Sequence, residues 1–364
     1  MDATPRRPPV IPIKGRGTPE RLAHRFERDA REPFDDGWEA EPGDADAPPP
    51  ATEVTQEQAR SLLAANDSPD IPFDRSINPY RGCEHGCSYC YARPTHSYLN
   101  LSPGLDFETR LVAKVNAGEL LRVELSRPGY RPSPVNIGSA TDAYQPIERR
   151  LRLTRAVLEV LTACEHPFTI VTKSAGIERD LDLIAPAARR GQAAVFLSVT
   201  TLDGALARRL EPRAAAPARR LQAVARLAEA GVPVGVNIAP IIPFVNEPEI
   251  ERIVDAAAEA GAASIHFTVL RLPWEVAPLF RAWLEQHLPE RAARVMARVR
   301  DMRGGKDYDA DFAHRMKGQG PWAELIGQRV RKAAARHGLP RERLALDCSR
   351  FRPPPRDAAQ GTLF

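Results

Sequence analysis

The chain has 364 residues, 43% of them hydrophobic, enough to bury a sizeable core in one large domain or two small ones. Its five cysteines, an odd number, and the lack of a basic-then-apolar leader argue against secretion and a disulfide framework, so a reducing cytoplasm is expected. No apolar run reaches the ~18–20 residues that span a bilayer, and a formal net charge of +4 is compatible with a polyanionic partner without identifying one.

Residues 1–70 are rich in Pro, Asp, Glu and Arg and lack a sustained apolar period. They read as a disordered or surface-draped extension, with one short helix in "RLAHRFERDAR". From Ser76 the pattern changes to short β-branched runs separated by amphipathic helical stretches. Six runs are predicted strands: "INPYRG", "PVNIGSAT", "FTIVTK", "AAVFLSVTT", "PVGVNIAPII" and "ASIHFTVLR". Between them lie the predicted helices "IERRLRLTRAVLEVLTAC", "IERDLDLIAPAARR", "APARRLQAVARLAEAG" and "EPEIERIVDAAAEAG", the last two closing on Gly231 and Gly261. This alternation gives an α/β fold, a partial or complete β/α barrel with an open doubly wound sheet as the alternative, and places chemistry at the carboxyl ends of the strands. Beyond Arg271 come a long helical stretch from Glu275 to Arg303, a Gly-rich loop and a last helix from Trp322 to His337. The expected division is an extension (1–70), a β/α core (71–275), a helical C-terminal cap (276–345) and a tail (346–364).

The first strand leads into "RGCEHGCSYCYAR", which places Cys83, Cys87 and Cys90 at C-x3-C-x2-C spacing. Thiolates are soft ligands that select zinc, copper(I) or iron–sulfur clusters. A structural zinc would need a fourth ligand, for which His85 inside the loop is a candidate, since no second C-x2-C pair exists. A fully protein-ligated cluster would need Cys164 or Cys348, both isolated in sequence. Three ligands otherwise leave one iron of a 4Fe-4S cluster open to a ligand that is not protein.

"CEHGCSYCY", with aromatic Tyr89 directly before the last cysteine, resembles the signature of the radical S-adenosylmethionine (SAM) superfamily. The resemblance implies a partial (β/α)6 radical SAM barrel and a 4Fe-4S cluster on Cys83, Cys87 and Cys90. It implies that the open iron is chelated by the amino and carboxylate groups of SAM, and that reduction cleaves SAM to methionine and a 5'-deoxyadenosyl radical. A low-potential electron donor, flavodoxin or ferredoxin, is implied as partner.

"GSATDAYQPIE", "VTKS", "LSVT", "EPRAAAPARRLQAVARLAEAGVPV" and "APIIPFVNE" are similar to the spore photoproduct lyase-like branch of that superfamily. By matching position, the resemblance implies that Thr141, Lys173 and Ser198 hold the SAM carboxylate. It also implies that Tyr89 and Ala239 belong to the cofactor site and that Tyr91 lies near the radical path. Lys173 has a reading from the residues as well, because lysine occurs only six times among 51 basic residues, and a strand-end lysine offers three donors and a charge. Where the lyase carries a hydrogen-donating cysteine this chain has Ser139, and a serine O–H is a poor hydrogen-atom donor, which counts against thymine-dimer reversal. "YARPTHSYLNLSPGLDFETRL" and "FRPP", with the N-terminal "GRG", resemble an uncharacterised bacterial family of lyase-like radical SAM proteins for which no substrate is implied.

Asp142, Gln145 and Glu148 are further candidates for binding SAM or substrate, Glu211 and Arg219 for an ion pair near SAM, and Asn237 and Arg271 for the strand-end site. His96, His266 and His314 read as structural, Cys164 as a small buried residue, and "RMKGQGPW" lacks the spacing of a phosphate loop. The expectation is a cytoplasmic radical SAM enzyme with no membrane association. A nucleic-acid repair or modification enzyme, and a structural or sensory zinc or iron–sulfur protein, are the alternatives.

Overall fold

The computed structural model describes residues 13–19, 21–27, 50–339 and 344–355; the rest of the expected extension and tail lies outside the described residues. In chain order the strands are β1 (Glu53–Glu57), β2 (Leu63–Ala65), β3 (Arg75–Ile77), β4 (Tyr80–Arg81), β5 (Arg110–Lys114), β6 (Val135–Ile137), β7 (Phe168–Thr172), β8 (Ala193–Ser198), β9 (Val234–Ile241) and β10 (Ser264–Val269). The main sheet runs β10-β9-β8-β7-β6-β3-β2. Its six strands from β3 to β10 are parallel and in strict sequential order, with β2 antiparallel on the edge. A doubly wound sheet would reverse its strand order at a switch point. The sequential order and the unjoined edges, β2 and β10, make this a partial β/α barrel.

The helices are α1 (Asp106–Thr109), α2 (Ala117–Leu125), α3 (Glu148–Leu151), α4 (Leu153–Ala163), α5 (Leu181–Arg189), α6 (Gly204–Leu210), α7 (Pro217–Glu229), α8 (Ile250–Glu259), α9 (Val276–His287), α10 (Pro289–Asp301) and α11 (Gly320–Arg336). Ile170, Val195, Leu197, Val234 and Val236 are fully buried between strand and helix layers, as parallel strands covered on both faces require. Truncating one of them, Ile170→Ala for instance, costs about 2–5 kcal/mol.

Two expected helices are divided. Arg152 takes a left-handed conformation between α3 and α4, and the Glu148 carboxylate accepts the backbone N–H groups of Thr154 and Arg155 at the start of α4. The stretch from Glu275 to Arg303 splits at Leu288, which precedes Pro289 and is therefore driven out of helical geometry.

The expected 1–70 extension contains β1 and β2, and β1 joins β5 and β4 in a second, three-stranded sheet. The described part of the expected helix at 21–31 is not helical. Its backbone donors go elsewhere, Leu22 to the Ser102 hydroxyl and Arg25 to the Glu275 carboxylate.

The C-terminal part reaches the strand ends in two ways. Leu270, Leu272 and residues of α9 and α10 pack in one apolar cluster with Cys87 and Tyr89. The buried Arg303 guanidinium donates to the carbonyls of Val269 and Leu270 at the end of β10, and to those of His314 and Arg315. Arg315 in turn pairs bidentately with Asp70 at 2.6 Å, tying the segment before α11 to the loop before β3.

Candidate active site

The cysteine loop is held almost entirely by buried polar contacts. The Cys83 N–H donates to the Phe107 carbonyl and the Ser88 N–H to the Leu210 carbonyl. Buried Arg93 donates to the Cys87 carbonyl at 2.9 Å and pairs with the equally buried Glu108. The Gln145 side chain bridges the Glu84 N–H and the Gly82 carbonyl, and Glu84 accepts from Thr52, Ile147 and Arg213. Each of these bonds satisfies a group that would otherwise be costly to bury, and together they brace the loop.

The N-terminal segment covers this loop. The Gly17 N–H donates to Glu108 at 2.9 Å, and a Cβ at Gly17 would stand 1.6 Å from the Gly86 carbonyl oxygen, so two backbones meet with no room for a side chain.

A cavity of about 460 Å³ opens at the carboxyl ends of the strands, a volume suited to a small-molecule ligand. Cys83, Cys87, Cys90, Tyr89, Tyr91, Thr141, Lys173, Ser198 and Ala239 all line it, brought together from the loop after β4 and the ends of β6, β7, β8 and β9. Asp142, Asn237, His266 and Arg271 line it too. Gln145 and Glu148 do not: Gln145 braces the cysteine loop, and Glu148 is consumed by Tyr80, Arg179 and the start of α4. His96 is buried against the Arg110 carbonyl, and Cys164 sits in the main core.

The electrostatics centre on Lys173. Burial disfavours its charge, but Cys87 and Glu211 outweigh that and raise its pKa. Glu211 is held down to about 2; burial works against its ionisation, and Arg220, Lys173, Thr200 and Tyr89 overcome it. The partner of Glu211 is the buried Arg220, which also donates to the Ser198 carbonyl. Arg219, the expected partner, reaches the other way to Glu178. Asp142 accepts from the Thr172 hydroxyl and the Lys173 N–H and faces His85 at 3.3 Å. Burial pushes the Cys83 thiol well up, and Asp142, Cys87 and Cys90 add to the effect; Cys87 is pushed up to about 12, chiefly by burial. Such thiols ionise when a metal supplies the positive charge.

Among the described residues no three His, Cys, Asp or Glu side chains are arranged to hold a single metal ion. Three cysteines that are not disulfide-bonded, Cys83 and Cys87 buried and Cys90 half-buried, on the wall of one cavity, fit a multi-iron cluster, whose ligands bind separate irons, better than a one-ion site.

The Radical SAM superfamily profile matches residues 77–257. An uncharacterized protein of Mycobacterium tuberculosis (strain ATCC 25618 / H37Rv) is 35% identical over 246 residues, 66% of this chain and 72% of the relative. The chain belongs to the radical SAM superfamily. A second relative, an uncharacterized protein of Methanocaldococcus jannaschii, is 29% identical over 59% of this chain and 76% of its own length. Among solved structures, spore photoproduct lyase complexed with dinucleoside spore photoproduct has a TM-score of 0.51 at 17% identity, covering 78% of this chain and 79% of that chain. A mutant of the same lyase gives 0.52 at 18% identity. At that identity the likeness is one of fold. Membership in the radical SAM superfamily implies SAM and an iron–sulfur cluster as cofactors.

Several site residues carry no local sequence signal. Asn78 accepts the Ala140 and Thr141 N–H groups and donates to the Ser139 hydroxyl, fixing the loop after β6. Arg315 and Met316 complete the wall beside β10, and the Met316 carbonyl accepts the Val269 N–H. No helix among the described residues is long and apolar enough to cross a membrane.

Proposed function

We propose that the chain is a radical SAM enzyme, with Cys83, Cys87 and Cys90 holding three irons of a 4Fe-4S cluster and SAM lying from that cluster across the ends of β6 to β9. The observation that carries the reading is the shared wall of one strand-end cavity: three free thiols, one lysine and the hydroxyls of Thr141 and Ser198. When bound, cluster and cofactor supply the reductive cleavage of SAM that abstracts hydrogen from a substrate.

Lys173 keeps its charge beside Glu211 and offers it, with the two hydroxyls, to the SAM carboxylate. Tyr89 donates to Glu211 and carries the Lys173 ammonium near its ring face, 5.9 Å from the centroid, which fixes the lysine's direction. Ala239 leaves the β9 backbone accessible to an adenine. Tyr91 donates to the Ser139 carbonyl and both line the cavity, where we assign them to its substrate side. The α9–α10 pair and the Arg315–Met316 segment act as the cap over the 71–275 core. A flavodoxin or ferredoxin in the cytoplasm would supply the electron. The lyase-like fold keeps nucleic acid open as a substrate class, without the dimer reversal that Ser139 in place of cysteine argues against.

The test is 5'-deoxyadenosine formation by anaerobically reconstituted protein with SAM and dithionite, with iron and sulfide counted in parallel. Wild type is expected to form it and Cys87→Ala to lose it. Four irons without 5'-deoxyadenosine would withdraw the enzyme reading, and one zinc without sulfide would replace it by a structural metal site.

A further inference from the structure

We propose that the substrate carries an oxyanion, a carboxylate or a phosphate, that is bound by the guanidinium of Arg271 beside β10, which has no ion-pair partner among the described residues; this deepens the radical SAM reading and rests on it. Arg271 lines the cavity two residues beyond β10. A guanidinium has five donors in a planar fork. Among the described residues Nη1 meets only the Met316 sulfur at 3.3 Å, a weak acceptor, and Nη2 only the Tyr308 hydroxyl at 3.4 Å. Its Nε is buried with no partner among the described residues. Among the described residues no carboxylate forms an ion pair with it, whereas Arg315 beside it has Asp70 and the buried Arg220 at the end of β8 has Glu211.

The neighbourhood increases the deficit. Arg303 is a second buried cation whose donors go to carbonyls, and it is held down to about 10, by burial first and then by Arg271. Among the described residues, Asp70 and Asp309 are the carboxylates that act on these three guanidinium groups, and neither forms an ion pair with Arg271. A half-buried cation without an anion is costly, and a bidentate oxyanion is the ligand that matches its geometry. Arg271 is also aimed in advance: its guanidinium carbon lies over the Tyr91 ring, 5.1 Å from the centroid. Tyr91 directly follows Cys90, so an oxyanion held there would anchor a substrate next to the cluster loop. Ser139 and Asn237, on the same cavity wall, supply neutral hydrogen-bonding groups for the rest of it.

The experiment uses reconstituted wild-type protein and phenylglyoxal, an arginine-selective reagent, with modification of Arg271 followed by peptide mass spectrometry. It is run in sodium chloride, sodium acetate and sodium phosphate at equal ionic strength, with and without SAM. Arg271 is expected to react faster than Arg220, and acetate or phosphate to slow it about tenfold at ten times its Kd. Protection by acetate alone assigns a carboxylate substrate, by phosphate alone a phosphate ester, and by both a general oxyanion site. Equal rates in all three salts overturn the proposal. Full protection by SAM in chloride also overturns it, because Arg271 would then belong to the cofactor.

A second readout is the rise in melting temperature on adding the protecting anion. It should shrink in Arg271→Lys and vanish in Arg271→Gln, and its survival in Arg271→Gln overturns the proposal. If that variant does not fold, the wild-type modification rates still decide. Turnover to 5'-deoxyadenosine is scored separately: turnover without protection removes the oxyanion and leaves the enzyme, and protection without turnover does the reverse.

Discussion

The two sides of the cavity differ in how their charges are settled. On the side of β6 to β8, Lys173, Glu211, Arg220 and Asp142 are matched by one another, by hydroxyls or by backbone N–H groups. On the β10 side Arg271 has a sulfur and a phenol. On the reading proposed above, the first side holds the cofactor and the second meets the substrate.

The largest effect is expected from breaking the balanced side. Glu211→Ala leaves buried Arg220 and Lys173 without their carboxylate and should cost about 3–5 kcal/mol in urea unfolding. A cost near zero would mean the pair is already solvated, and the contrast between the two sides would fail. Next comes the cover of the cysteine loop. Gly17→Ala drives a methyl into the Gly86 carbonyl and should cost about 1–3 kcal/mol. It should show as faster limited proteolysis within 13–27; unchanged cleavage would mean that the segment does not dock.

The smallest effect belongs to the β10 side. Asp70→Asn removes the carboxylate from Arg315 and should cost about 1 kcal/mol, as partly exposed ion pairs do. Hydrogen bonding from Arg315 holds the Asp70 carboxyl below its ordinary range. Its stabilisation is therefore complete above the unfolded value of about 4 and is lost as pH falls through the lower folded value. The stability gap between wild type and Asp70→Asn should be flat from pH 7 to 5 and close below about 4. A gap that widens on acidification would contradict the assignment.

The sequence carried most of the sheet, since each parallel strand buried on both faces is a compact apolar run, and β7 and β8 are read directly from "FTIVT" and "AAVFLS". β1 and β2 escaped because "EVTQE" and "LAA" are short, half-exposed edge pieces with almost no apolar period. The sequence does not separate Arg219 from Arg220, because neighbours on a helix point about 100° apart and only the docked phase of α7 decides which of them meets Glu211 and which meets Glu178. The clustering of the nine expected residues on one cavity follows from their all lying at strand carboxyl ends or in the cysteine loop. Arg303 and the Asp70–Arg315 pair were invisible for the opposite reason: they join segments that only the completed fold brings together, 245 residues apart in the second case.

Composition marks the first fifty residues as the part most easily trimmed away. Yet Arg16, Gly17, Leu22 and Arg25 are fastened to Glu108, Ser102 and Glu275, and Gly17 lies against the cysteine loop itself. A shortened chain starting near residue 50 would keep every strand and helix described above and still bare the outer backbone of that loop to water and air. Preparations that differ only in where they begin should therefore differ in how long they hold their iron.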